Sequence, residues 1–153
     1  MATSNLEPAG PATRLYRRIF LAAGLWDGIL GAVFFLFYPW IFDRLGIPLP
    51  NNTSYIHLTA AFVFVQGVGY WLVYRDMAGN LGIVKIGIVY KVMYSGVALY
   101  YLAIGQLVHA VFAWFAVVDI LFIVAFVRYL MLVRSGARRP TAIPRPGRTR
   151  QPV

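Results

Sequence analysis

The sequence contains no cysteine and only five acidic residues. Without cysteine there are no disulfides, no thiolate catalysis, no Cys-ligated clusters and no palmitoylation. Charge of any sign is scarce, at 12% of residues, where soluble domains carry about 25%. With 60% of residues apolar, a soluble fold would expose large apolar patches and aggregate. Catalytic signatures are missing too. No glycine-rich phosphate loop follows a strand, and neither HExxH nor a Ser/His/Asp set is visible.

What is present is four apolar runs, each long enough to cross a hydrocarbon core about 30 Å thick. They lie at about 19–38, 55–74, 81–103 and 110–133. The reading is an all-α, four-helix transmembrane bundle over 19–133, with no room for a separate soluble domain. Residues 1–18 read as a disordered basic N-terminus, and 134–153 as a disordered Arg/Pro-rich tail. No small-residue cleavage site follows a short apolar core near the N-terminus, so the first run reads as a retained span. A mitochondrial presequence fits less well, because Pro8 and Pro11 disfavour a long amphipathic helix. Pro39 closes the first span, and Trp40–Leu45 could form a short interfacial helix.

Net charge is +9, and its placement explains it. Arg14, Arg17 and Arg18 precede the first span, Arg75 sits in the second connection, and six arginines follow from Arg134. Positive-inside counting puts both termini and the second connection in the cytoplasm. No nucleic-acid motif accompanies the charge, so nucleic acid is excluded as a partner. Arg138, Arg139, Arg145, Arg148 and Arg150 in the tail suit anionic lipid or an acidic partner, at about 1 kcal/mol each near the surface.

Three ionisable residues lie at nearly the same depth within the apolar runs: Asp27, Lys91 and Asp119. At 1.5 Å per residue they lie roughly 13, 15 and 13 Å deep, near mid-membrane. A charge there costs at least about 2.5–3.5 kcal/mol, so such residues pair and face the interior. One Lys against two Asp leaves one negative charge, so a proton on one Asp or a further cation is needed. Gln66, Tyr90 and Tyr94, with Tyr100, are candidates to satisfy the cluster. Lys85 is turned about 240° from Lys91 and should snorkel to the cytoplasmic interface. The cluster either specifies helix pairing or serves as a proton or ion relay or the polar floor of a ligand pocket.

Small residues mark packing faces. Gly24, Gly28 and Gly31 lie on span 1, with Gly24 and Gly28 in a GxxxG arrangement that suits ordinary helix packing or a dimer. His57 and His109 fall near one membrane face, where a haem between spans would need facing ligands. Aromatics such as Tyr70, Trp71, Phe112, Trp114 and Phe115 either pack, anchor at the interface or line a site for a flat apolar ligand such as a quinone, sterol or pigment. Asn51 and Asn52 stand in overlapping glycosylation sequons, which matter only in a secretory-pathway protein.

Several features together are similar to small four-span bacterial membrane proteins of DoxX-like architecture. They are Gly24-Leu25-Trp26-Asp27-Gly28, Pro39, Gly46-Ile47-Pro48, Tyr74-Arg75-Asp76 with Asn80, the Lys in span 3, and Asp119 with Phe122. The resemblance covers about Arg14–Arg134. It implies a bacterial inner-membrane bundle of a class often redox-associated or without assigned function, and it transfers no catalytic residue. Sterol-binding four-span proteins share the topology, but their loop motifs are not found here.

The functional expectation is a non-catalytic accessory subunit or a binder of a lipid- or quinone-like ligand, in contact with membrane lipids and with other membrane proteins or itself. The alternative is a small proton- or ion-coupled transporter using Asp27, Lys91 and Asp119. No cofactor or metal is called for beyond a quinone or haem as bound molecule.

Overall fold

The computed structural model describes residues 11–137, which form four helices: α1 (Pro11–Arg44), α2 (Ser54–Arg75), α3 (Leu81–Ala103) and α4 (Ala110–Ala137). All four are long and apolar enough to cross a membrane. At 1.5 Å per residue, the 22 residues of α2 span about 33 Å. The outer surface is what lipid requires: Ile29, Leu36, Phe62, Ile86, Trp114 and Leu121 are all exposed.

Helix α1 departs from the sequence reading at both ends. It begins at Pro11, so residues 11–18 are helical rather than disordered. A proline in the first turn loses no helical hydrogen bond, because those N–H groups have no partner anyway. It also runs past Pro39 to Arg44, bent where Phe37 leaves helical geometry at φ −125° and ψ 17°. Proline removes a donor and clashes with the carbonyl four residues back, so the helix bends rather than stops. The interfacial segment expected at Trp40–Leu45 is thus mostly the last turn of α1, where the Arg44 guanidinium lies 5.5 Å over the Trp40 ring. At the other end of the chain, α4 carries helix from 134 to 137, and the rest of the expected tail lies outside the described residues.

The connections are closed locally. Gly46 and Gly105 take positive φ, of 64° and 69°, which glycine adopts without penalty. Each lets the chain fold back on the helix before it, Ile47 N–H bonding Phe42 O at 2.9 Å and Gln106 N–H bonding Tyr101 O at 2.8 Å. In the tight turn between α2 and α3, Asp76 accepts the Gly79 N–H, and Asn80 donates to the carbonyls of Leu72 and Asp76.

Packing is uneven around the bundle. Helices α1 and α2 run closest, α3 and α4 next, and the α2/α3 and α1/α4 seams are looser. Glycine makes the α1/α2 approach: a Cβ on Gly31 would lie 2.5 Å from Phe64 N, and one on Gly67 would meet the Gly28 backbone. Gly28 itself has open space where a Cβ would go, so its role is to present backbone to Gly67. The glycines of span 1 therefore serve an intrachain contact.

The bundle divides into two halves. The turn-side half, near the start of α1, the end of α4 and the α2/α3 turn, is filled by Phe20, Ala23, Tyr70, Val73, Val84, Phe126 and Tyr129. Phe20 stacks on Phe126 at 4.8 Å, and Tyr129 donates to Met77 O at 3.0 Å, tying α4 to the turn. The linker-side half, near the other two connections, holds the site.

Candidate functional site

Lys91 occupies the middle of α3 with no exposed surface. Its Nζ donates to both oxygens of Asp27 on α1, at 3.2 and 3.0 Å, and to Asp119 Oδ1 on α4 at 2.5 Å. An ammonium has three donors and no acceptor, so this arrangement uses all of its hydrogen-bonding capacity. The rings of Tyr70 and Phe122 flank it, with centroids 5.4 and 5.2 Å from Nζ. Ring faces carry negative potential and favour a cation. Asp27 and Asp119 are themselves 3% and 6% exposed.

The three charges named from sequence are thus one network joining three helices. The supporting polar residues are placed differently. Gln66 is half-buried on α2 and its Nε2 has no hydrogen-bond partner among the described residues; the Tyr70 hydroxyl is likewise buried and unpartnered. Tyr94 donates to Phe112 O at 3.3 Å, an α3 to α4 link, and not to either carboxylate. Tyr90 and Tyr94 instead help to wall a cavity. Tyr100 and Lys85 are exposed. Ser95, a small residue of span 3, is buried and donates to Ala116 O at 3.3 Å.

The cavity lies in the linker-side half and has a volume of about 80 Å³. Its walls include Trp26, Leu30 and Phe34 of α1, Thr59 and Val63 of α2, Tyr90 and Tyr94 of α3, and Phe112 and Phe115 of α4; Asp27 and Asp119 also line it. Lys91 does not, because it lies behind the carboxylates. Phe115 is the central ring, edge-on to Trp26, Phe34 and Phe112 at 6.0, 6.4 and 6.1 Å. It stands beside the loose α1/α4 seam. Sequence reasoning named Phe112 and Phe115 among many aromatics but missed Trp26, Phe34 and Thr59. Uniformly apolar helices give no sign of which side faces inward; Trp26 beside Asp27 was the one available hint.

The histidines have local roles. His57 packs against Phe35 and Tyr38, each ring centroid 4.9 Å away. His109 Nδ1 accepts the Val111 N–H at 3.1 Å, capping the start of α4. Among the described residues, no group of three or more His, Asp or Glu is placed to hold a metal. The tail arginines Arg138, Arg139, Arg145, Arg148 and Arg150 lie outside the described residues.

Comparison with protein-family models, with curated proteins and with solved structures gives no match.

Proposed function

We propose that this small integral membrane protein binds a membrane-soluble small molecule in the cavity of its linker-side half. One observation carries the reading: an aromatic-walled space that ends on two buried carboxylates. Binding pockets are mostly apolar with few, fixed polar groups that orient the ligand, and this one has that composition. The looser α1/α4 seam beside Phe115 offers a way in from the bilayer. Both termini and the α2/α3 turn face the cytoplasm in this reading, and the host membrane is a bacterial inner membrane, on the positive-inside count and the DoxX-like layout.

Proton- or ion-coupled transport through Asp27, Lys91 and Asp119 has less support. The packed rings of the turn-side half stand between the cluster and that membrane face. A purely accessory subunit would need the cavity only as a packing defect.

The test is purification in mild detergent, followed by mass spectrometry and an absorption spectrum. A bound lipid-soluble molecule near one per chain is the expected result. A stoichiometric partner protein with no small molecule would replace this reading with the accessory one. An empty lone bundle would favour transport.

A further inference from the structure

We infer that the ligand is a lipophilic monocation, an amine or quaternary ammonium on an apolar body, with its head against Asp27 and Asp119. The inference rests on the binding reading above and adds the charge of the occupant.

The charge facing the cavity points this way. The cluster's ammonium is turned away, enclosed by the two carboxylates and by the Tyr70 and Phe122 rings. What an occupant meets is acceptor oxygen. Asp119 Oδ2 accepts no hydrogen bond among the described residues, and Lys91 is the one cation there that pairs with either carboxylate. With both carboxylates ionised, the three groups sum to −1. A single positive charge in the cavity completes the set.

The walls agree. Trp26, Phe34, Tyr90, Tyr94, Phe112 and Phe115 surround the space, and aromatic enclosures bind quaternary ammonium groups through the ring faces. The donors disagree with the obvious neutral alternative. A quinone presents carbonyl oxygens that need hydrogen-bond donors. Yet the Thr59 hydroxyl already donates to Tyr55 O at 2.8 Å, and the Tyr94 hydroxyl to Phe112 O. Of the wall donors, only the Tyr90 hydroxyl and the Trp26 indole N–H remain among the described residues, and they stand against two carboxylate acceptors. A phosphate-bearing headgroup would meet two carboxylates and be repelled. The cavity suits a compact head, with the apolar body following the loosely packed α1/α4 seam beside Phe115.

The experiment uses the full chain in phosphatidylcholine nanodiscs, which have no anionic surface to concentrate cations. In a W40F/W71F/W114F background the remaining emission comes from Trp26 in the cavity wall. The probes are dodecyltrimethylammonium, its uncharged analogue with a tert-butyl head, and decylubiquinone. A saturable change in Trp26 emission, about tenfold tighter for the ammonium than for the tert-butyl analogue, is expected. Asp119→Asn should bring that ratio to about twofold or less while the neutral analogue still binds. If the variant does not fold, the ratio in the parent protein decides alone. Equal affinities, or tighter binding of the quinone, would overturn the cation and leave the binding reading standing. No saturable response to any probe would overturn both.

Discussion

The two halves of the bundle are both rich in aromatic rings, yet one is a core and the other a cavity. In the turn-side half, Phe20, Phe126, Tyr70 and Tyr129 meet at 4.8–5.2 Å. In the linker-side half, Phe115 meets its neighbours edge-on at 6.0–6.4 Å, and space is left between them. Composition does not distinguish these outcomes. The difference is that one set converges on itself and the other on a pair of carboxylates.

The boundary between the halves is the test of greatest leverage. Lys91→Ala leaves Asp27 and Asp119 facing each other without a cation. Breaking a buried pair in this way costs about 3–5 kcal/mol, so the folded bundle should be largely lost in denaturant titrations in mixed micelles. Restored stability in Lys91→Ala combined with Asp27→Asn and Asp119→Asn would assign the loss to charge rather than shape.

The contrast itself is sharpened by paired truncations. Phe126→Ala, in the close-packed half, should destabilise by about 3 kcal/mol. That is the low end for this change, because lipid rather than water surrounds the separated helices. Phe115→Ala, beside existing space, should cost under about 1 kcal/mol while changing ligand affinity. Equal losses from the two would mean that the halves do not differ as described.

Gly67→Ala should cost about 1–3 kcal/mol by forcing α1 and α2 apart, since its Cβ would meet the Gly28 backbone. Gly28→Ala, with open space at its own Cβ, should lie within about 0.5 kcal/mol of the parent. The same denaturant titration reads both. A larger loss at Gly28 would overturn the assignment of roles within that contact.

Much of the fold was legible because a bilayer imposes length and polarity on each span. The charge network was legible for a related reason: an ionisable residue in an apolar run stands out, and its depth follows from counting. Rotation was not. Nothing in α2 or α3 marks a polar face, so Gln66 reads as a cluster member although its amide finds no partner. Tyr90 and Tyr94 read as hydrogen-bond partners of the carboxylates and turn out to be walls. Proline was overread at the end of α1, since Pro39 does not prevent helix on its far side.

The network joining three helices also has a consequence in time. Asp27 and Lys91 are 64 residues apart. At about 5–20 residues per second of synthesis, Asp27 precedes its cation by about 3–13 s. During that interval the growing chain has α1, with α2 able to settle on its glycine face, and an acid in mid-membrane awaiting its counter-charge. Asp119 comes 28 residues after Lys91 and meets a cation already made. The nascent bundle thus passes through a stage with a surplus acid, then a balanced stage, and completes itself with the acid that restores the surplus.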